Sequence, residues 1–480
     1  MPSPMIQAKP PLAFLPPKLD PFVVRTLYFL LPAWMKLNTN VQAVQAENVE
    51  QLVELYRQFQ AGQVRFMLAF RHPSTNDPFS LGYLMSRIVP MVAKQQGVDL
   101  GFLVHAHFIY DRGIPLWAGQ IVEWLYPRLG GTPIQRGKLD RVGLRSVRDL
   151  FANGRFPIAA APEGATNGHN ERVSPLEPGI AQMGFWCMED LQKAGRSEQV
   201  LIVPIGLQYS YVEAPWTKID RLLGQLEADL GIADNPELPE IPVSTVVTSL
   251  NQDNSQLTTL YPRLYRLGAH LLTLMEDFYR RFYHHTLTIA NAQLEAANPE
   301  SMSPNQALAH RLQALLDTAL RVAEQYFDLQ PKGSFIDRCR RLEQAAWDCI
   351  YREDLKQLDE LSVVERNLAD RIAEEANLRV WHMRLVESFV AVTGQYVREK
   401  PTAERFAETL LLTWETIERI KGNNTFPRPT LGKQIAHITI GKPISVSDRW
   451  QAYQGNRRNA KQEVERLTQD LQTALEAMIH

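Results

Sequence analysis

Residues 64–78 read VRFMLAFRHPSTNDP, and this stretch contains the two signals from which the fold is predicted. Its first seven residues form a mostly apolar run of strand length, which predicts a β-strand. A polar turn follows, and Asp77-Pro78 has the sequence of a helix start. A buried strand that leads directly into a helix predicts an α/β layer at this point.

The same alternation continues to about residue 215. The runs GFLVHAHFIY, TPIQR, FPIAAA and VLIVPIGLQY predict further strands, and the segments after His72, Pro115, Lys138 and Pro178 predict helices between them. Helical periodicity then dominates until the strand signal returns once, in KQIAHITIGKPISV, before a last helix. A lone strand and helix cannot bury themselves, so they are predicted to complete the first layer.

We therefore predict an α/β fold with a mixed sheet flanked by helices and a large all-helical insertion before the last strand and helix. The α/β domain is predicted to comprise residues 64–215 and 430–480, and the helical insertion residues 216–429. Residues 1–20 are predicted to be a flexible proline-rich tail, and residues 21–63 are predicted to form N-terminal helices.

Composition narrows the classes of function. The 480 residues include 51 Lys and Arg against 53 Asp and Glu, which gives a net charge of −2 and removes the electrostatic argument for a nucleic-acid partner. The three cysteines form no CxxC pair and have no spaced histidines beside them. This pattern predicts a reducing, cytoplasmic location and no metal site.

Residues 21–38, PFVVRTLYFLLPAWMKLN, are the most apolar early segment. Arg25 and Pro32 interrupt the run, which falls short of the roughly 20 apolar residues that a membrane-spanning helix needs. Its aromatic residues and flanking cations suit a helix that lies in the lipid headgroup region, whereas the alternative is a helix packed on the protein's own core. The first alternative predicts a protein peripheral to the membrane, with membrane lipids as partners.

His72 and Asp77 are the candidate catalytic residues in the turn after the first predicted strand. Ligands of open α/β sheets bind at such strand exits. A carboxylate that accepts a hydrogen bond from one ring nitrogen of His72 would leave the other nitrogen free to remove a proton from a hydroxyl. The alternative is that Asp77 only caps the following helix, with Pro78 at the first helical position.

Four blocks in this order resemble those of the glycerolipid acyltransferase family, the 1-acyl-glycerol-3-phosphate acyltransferase type. The first block is HPSTND, with His72 and Asp77. The second contains Gly131 and Arg136, the third contains Pro162, Glu163 and Gly164, and the fourth contains Pro204. The resemblance covers about residues 64–211, and the terminal HITIGKPISV and last helix are similar to the family's closing elements.

The resemblance implies transfer of an acyl chain from acyl-CoA or acyl-carrier protein to a hydroxyl of a lysophospholipid or glycerol phosphate, without a cofactor and without a covalent acyl-enzyme. His72 would be the base and Asp77 its orienting partner. Gly131, Arg136 and Lys138, together with the turn at Glu163-Gly164, would bind the acceptor. The acyl donor and membrane lipids are thus the implied partners, and acyl-carrier protein is one of the two candidate donors.

The third block departs from the family pattern. Ala165-Thr166-Asn167 stands where the family usually has Thr, Arg and Ser, so an arginine that would help to hold an acceptor phosphate is missing. Arg172 could replace it, or Arg136 with Lys138 could hold the phosphate alone. Two further alternatives remain: an acyltransferase or transacylase acting on another lipid hydroxyl, and a non-catalytic interaction protein at the membrane periphery.

Overall fold

The computed structural model describes residues 6–101, 103–135, 140–232, 255–285, 303–355, 361–389 and 395–479. The chain divides into two compact units. The α/β unit contains residues 12–212 and 433–480, and the helical unit contains residues 1–11 and 213–432.

One mixed sheet forms the centre of the α/β unit. Its strands are Val41–Glu47 (β1), Val64–Phe70 (β2), His107–Asp111 (β3), Gly131–Ile134 (β4), Ile158–Ala160 (β5), Gln199–Tyr211 (β6), Gln434–Ile440 (β7) and Ile444–Ser445 (β8). The order across the sheet is β1-β7-β6-β2-β5-β3-β4, with β8 paired to β6. Neighbours pair in parallel, except that β7 and β8 pair antiparallel with β6.

Helices cover both faces of this sheet and build the helical unit. In chain order they are Pro21–Asn38 (α1), Val49–Gln60 (α2), Asp77–Tyr83 (α3), Val89–Gln95 (α4), Ile114–Ala118 (α5), Gln120–Arg128 (α6), Arg141–Asn153 (α7), Gly179–Lys193 (α8), Trp216–Asp229 (α9), Ser255–Phe282 (α10), Pro304–Tyr326 (α11), Phe335–Ile350 (α12), Val363–Phe389 (α13), Tyr396–Glu399 (α14), Ala403–Ile420 (α15), Trp450–Tyr453 (α16) and Arg457–Glu476 (α17). A π-helical turn, Leu84–Ile88, joins α3 to α4.

Strand β2 lies near the middle of the sheet and is buried on both faces. Phe66 and Leu68 belong to the hydrophobic cluster on one face, and Met67 and Ala69 belong to the cluster on the other. Successive side chains of a strand point to opposite faces, so a central strand needs an apolar residue at nearly every position. This requirement explains the apolar run, interrupted by Arg65 alone, from which the fold was predicted.

The last strand joins this sheet, as predicted. β7 lies between β1 and β6, and Ala436, Ile438 and Ile440 are buried in the same cluster as Phe66. Helix α17 buries one stripe, Val464, Leu467, Leu471 and Leu475, in the cluster on the opposite face. The α/β class, the mixed sheet and the helical region before the last strand and helix are therefore confirmed.

Residues 21–63 form the helices α1 and α2, as predicted, but the strand β1 between them was not predicted. Among the described residues, this strand is at the edge of the sheet and pairs with β7 alone, nearly four hundred residues further along the chain. Val41 is its single buried residue, so β1 has almost no apolar alternation. An edge strand with polar side chains gives little sequence signal.

The predicted flexible tail at residues 1–20 is also wrong for the part that the structure describes. The Ala8 amide donates to Asp370 Oδ1 at 2.8 Å, and the Lys9 amide donates to the Ile350 carbonyl at 2.8 Å. Further on, the Lys18 amide donates to the Pro127 carbonyl at 2.8 Å. Prolines exclude helix but leave carbonyls and intervening amides free to pair, so a proline-rich segment can pack as extended chain.

Helix α1 packs with one face and exposes the other. Val24 and Met35 are buried, whereas Phe22, Phe29 and Leu37 are 76%, 76% and 82% exposed. The alternative of a helix packed on the protein's own core therefore holds for one face of α1. The alternative of a helix in the headgroup region stays a prediction that concerns the exposed face. Within the described residues, no helix combines the length and the apolarity needed to cross a membrane.

Candidate active site

His72 lies just beyond the carboxyl end of β2. The Arg71 amide still donates to the Ile205 carbonyl of the neighbouring β6, at 3.0 Å, and the chain then leaves the sheet and enters α3 at Asp77. The loop between them is therefore held at both ends by regular structure. This position between β6 and β5 is where an open α/β sheet presents its ligand site.

The imidazole of His72 is hydrogen-bonded to Asp77. Nδ1 of His72 lies 2.8 Å from Asp77 Oδ2, and Asp77 is completely buried. The carboxylate also accepts from the Ser74 amide at 3.0 Å and from the Tyr209 hydroxyl at 2.6 Å. All these partners lie outside the first turn of α3, and the helix begins at Asp77 itself. The geometry thus fits an orienting carboxylate better than a helix cap.

Tyr209, on β6, supports the carboxylate from the core. Burial, together with the adjacent Asp77 charge, raises the pKa of the Tyr209 hydroxyl well above its usual value. The hydroxyl therefore stays protonated and donates a hydrogen bond to Asp77 Oδ1, while Ser80 Oγ lies 3.2 Å away. Sequence analysis missed Tyr209, because a tyrosine in an apolar strand is indistinguishable there from an ordinary core residue.

The second ring nitrogen of His72 meets a hydroxyl. Nε2 lies 2.9 Å from Oγ1 of Thr166, and Thr166 is exposed. Because Nδ1 carries the proton and donates a hydrogen bond to Asp77, Nε2 carries the lone pair and accepts a hydrogen bond from the Thr166 hydroxyl. The residue at the position of the missing family arginine is therefore in direct contact with the candidate base.

Glu163 is buried behind His72. Its Oε1 accepts from the His72 amide at 2.9 Å, and its Oε2 accepts from the Ser174 amide at 2.8 Å and from Asn167 Nδ2 at 2.6 Å. These bonds commit the carboxylate to holding the two loops together. Contact of the Glu163-Gly164 turn with an acceptor stays a prediction. In this turn Gly164 has a φ of +72°, which favours glycine, and its amide donates to the Ala161 carbonyl at 3.2 Å.

Arg71 fixes the loop that carries Thr166. The side chain is completely buried, and its guanidinium donates to the carbonyls of His169, Asn170 and Arg172, with 3.1 Å to His169 and 2.6 Å to Arg172. Sequence analysis did not select Arg71 although it is next to His72, since nothing in the sequence indicates that a surface-type residue is buried. Arg172, which was proposed as a substitute phosphate ligand, contributes its backbone carbonyl here.

The remaining predicted residues are separate from this group or lie outside the described residues. Gly131 begins β4, and a Cβ there would lie 2.6 Å from the Phe108 ring, so close packing accounts for the glycine. Arg136 and Lys138 lie outside the described residues, and their role stays a prediction. Among the described residues, no group of three or more His, Cys, Asp or Glu side chains could hold a metal ion.

Taken together, the site offers a histidine whose tautomer is fixed by a buried carboxylate and whose free nitrogen accepts from a hydroxyl. This arrangement can remove a proton from an alcohol. Comparison with protein-family models finds no match to this chain, and comparison with curated proteins finds none either.

Proposed function

We propose that this protein transfers an acyl chain from acyl-CoA or acyl-carrier protein to a hydroxyl of a lysophospholipid or glycerol phosphate at a membrane surface. The observation that carries the proposal is the chain of contacts from Tyr209 through Asp77 and His72 to the hydroxyl of Thr166. A general base for an alcohol needs an oriented imidazole with a free nitrogen beside a hydroxyl, and this chain of contacts provides both. The family resemblance supplies the substrate class.

In this mechanism the hydroxyl of the acceptor takes the place of the Thr166 hydroxyl on His72 Nε2. Nε2 accepts the proton as the acceptor oxygen bonds to the thioester carbon. When the tetrahedral intermediate collapses, the carbon–sulfur bond breaks and the leaving thiolate takes that proton from Nε2. Asp77 stabilises the imidazolium between the two steps, and Tyr209 keeps the carboxylate oriented.

A second candidate acceptor follows from Thr166 itself. The family arginine would place a cation near an acceptor phosphate, whereas Thr166 presents a neutral hydroxyl to His72. A phosphate-free lipid alcohol, such as a monoacylglycerol, would not need the missing cation. The two candidates share the fold, the base and the acyl donor, and differ only in the acceptor.

The test offers the purified protein labelled acyl-CoA and acyl-carrier protein with lysophosphatidic acid, glycerol 3-phosphate, lysophosphatidylcholine and monoacylglycerol, and identifies the lipid products by mass. Product from a phosphate-bearing acceptor supports the leading proposal. Product from monoacylglycerol alone supports the second candidate. Absence of product with all donors and acceptors would contradict both and favour the non-catalytic alternative.

Direct transfer makes a specific prediction for Thr166. We expect Thr166→Val, which keeps the shape and removes the hydroxyl, to retain acyl transfer within about threefold of the wild-type rate. The reason is that the acceptor displaces this hydroxyl, so the threonine does no chemistry in direct transfer. Steady-state rates would be compared with those of Thr166→Ser, which keeps the hydroxyl.

A loss of about 10² in Thr166→Val, with activity kept in Thr166→Ser, would instead identify Thr166 as a nucleophile activated by His72. In that case an acyl group would be found on Thr166 by intact-protein mass after incubation with the donor alone. That result would overturn direct transfer while leaving His72 as the base.

The exposed face of α1 makes a prediction about membrane binding. We expect the double substitution Phe22→Ser and Phe29→Ser to weaken binding to anionic liposomes at least about tenfold, because each phenyl ring that enters the lipid contributes on the order of 1 kcal/mol or more. Co-sedimentation with liposomes would measure the change.

The control for this prediction is Val363→Ser in the helical unit, where an apolar side chain is 75% exposed, similar to Phe22 and Phe29. It should leave liposome binding unchanged. Equal weakening in the control, or no weakening in the double variant, would argue that α1 is only a structural cover of its unit.

A further inference from the structure

The helical unit contains a cavity whose walls are almost entirely apolar. Its volume is about 150 Å³, and helices α10, α11, α13, α14 and α15 surround it. Leucines such as Leu264, Leu272 and Leu316 form much of the lining. Apolar cavities of about this size stay free of water and bind apolar molecules of benzene size.

The tyrosine hydroxyls at the wall are already occupied by protein partners. Tyr261 accepts from Asn305 Nδ2 at 3.1 Å, and Tyr265 donates to the Pro304 carbonyl at 2.9 Å. Tyr279 lies 2.7 Å from His382 Nδ1, and burial lowers the pKa of His382 to about 4, so this imidazole is neutral. These tyrosines therefore present their rings to the cavity, and their hydroxyl groups form hydrogen bonds with neighbouring protein groups.

The threonines of the wall behave in the same way. Thr409, Thr413 and Thr416 of α15 each donate to the carbonyl one turn back in their own helix, at 2.9, 2.9 and 3.0 Å. Their methyl groups are left for contact with an occupant. The protons of these hydroxyl groups are therefore already used within α15, so the threonines offer a ligand no hydrogen-bond donor, and the wall favours hydrocarbon.

Gly268 provides an independent observation. It lies in the middle of α10 and lines the cavity, and a Cβ built on it would meet nothing within 4 Å. A helix is less stable with glycine in its interior than with alanine, and within the part of the chain that the structure describes no backbone or side chain requires the small size of Gly268. The presence of glycine at this position is explained if a ligand occupies the open space beside it.

We propose that the helical unit binds the hydrocarbon chain of a single-chain aliphatic compound in this cavity, with its polar end outside. By comparison with benzene, the cavity accommodates a stretch of about six to eight carbons. The inference does not rest on the proposed function, since it follows from the walls of the helical unit alone.

The test measures binding of hexanoate, octanoate, decanoate and 1-octanol to the full chain by calorimetry and by the shift in unfolding temperature. Affinity should rise about fourfold for each added CH₂ and level off beyond about eight carbons. Octanoate and 1-octanol should bind alike within about threefold, because the wall recognises the chain. A strong preference for the carboxylate would overturn recognition through the chain alone.

Gly268→Leu is the decisive variant, and Gly268→Ala is its matched control. Leucine fills the cavity and favours helix, so we expect an unfolding temperature equal to or above the wild-type value together with at least tenfold weaker octanoate binding. Alanine leaves most of the space, so its binding should equal that of the wild type. His72→Ala should also bind octanoate normally, which separates this test from that of the proposed function.

Two outcomes would overturn the proposal. One is the absence of octanoate binding to the wild type at millimolar concentration. The other is unchanged binding in Gly268→Leu, which would locate the ligand elsewhere. A Gly268→Leu variant that unfolds at a lower temperature than the wild type would contradict the open space at this position.

Discussion

His72→Ala is expected to lower the rate of acyl transfer by about 10² to 10⁴, because a positioned general base contributes rate enhancement of that size. The fold should persist. The His72 side chain is partly exposed at the end of a loop, and its removal leaves Asp77 with the Ser74 amide and the Tyr209 hydroxyl as partners. Single-turnover rates and thermal unfolding of the variant would measure the two effects separately.

Asp77→Asn should be similarly severe for a different reason. Either orientation of the amide puts an NH₂ group where a carboxylate oxygen now accepts hydrogen bonds. If that group faces His72 Nδ1, the ring must accept there and carry its proton on Nε2. The nitrogen that contacts the hydroxyl then has no lone pair for the proton, so the base is lost although the residue is nearly isosteric.

A histidine on the same sheet provides the control. His437 on β7 is hydrogen-bonded to Ser210 Oγ at 2.8 Å, and its neighbours Ala436 and Ile438 point to the opposite face, into the cluster that contains Tyr209. His437→Ala should therefore keep acyl transfer near the wild-type rate. Near-normal turnover in His72→Ala or Asp77→Asn would refute the assignment of the base. A loss of activity in His437→Ala equal to that in His72→Ala would indicate that both substitutions act by destabilising the fold.

The sequence predicted the parts of this site that are local in the chain. His72 and Asp77 are five residues apart, and both belong to one loop between a strand and a helix, so their contact follows from local geometry. The Glu163-Gly164 turn was selected by resemblance alone. Its hydrogen bond to the His72 amide depends on the pairing of β2 with β5, which the separate segments do not reveal.

The parts that sequence analysis missed depend on burial and on distant partners. Arg71 is a charged residue with no exposed surface, and Tyr209 reaches Asp77 across 132 positions of the chain. Thr166 was noted only as a departure from a pattern, whereas its contact with His72 Nε2 makes it the neighbour of the candidate base. Periodicity reports which residues face a core, but it does not report which polar groups meet inside it.

Strands with mostly buried residues were predicted, including the edge strand β4, whereas the exposed edge strand β1 was missed. β2 and β6 are long apolar runs because both of their faces are covered. β1 is mostly exposed, and its partner β7 lies near the other end of the chain. Burial therefore decides how much signal the sequence of a strand carries, since β1 and β2 have the same length of seven residues.

A chain that ends at Asn424 is expected to lose the folded α/β unit, which is the largest effect that the structure predicts. The truncation removes β7, which pairs with β6 from Ile205 to Tyr211 and with β1 from Val41 to Glu47. It also removes α17 and its buried stripe. Burial of one such leucine or valine contributes about 1.5–3 kcal/mol, so losing the strand and the helix exceeds the roughly 5–15 kcal/mol stability of a typical domain.

The matched variant keeps the terminal elements and removes the insertion. A chain in which residues 235–428 are replaced by a short flexible linker retains every strand of the sheet, because β6 ends at Tyr211 and β7 begins at Gln434. Since loop length has only a weak effect on closure entropy, we expect this chain to fold cooperatively and the truncated chain to aggregate. Solubility, circular dichroism and thermal unfolding would compare them. If the chain that ends at Asn424 were soluble and unfolded cooperatively, the α/β unit would be stable without β7 between β1 and β6. The C-terminal segment would then not be required for the stability of this unit.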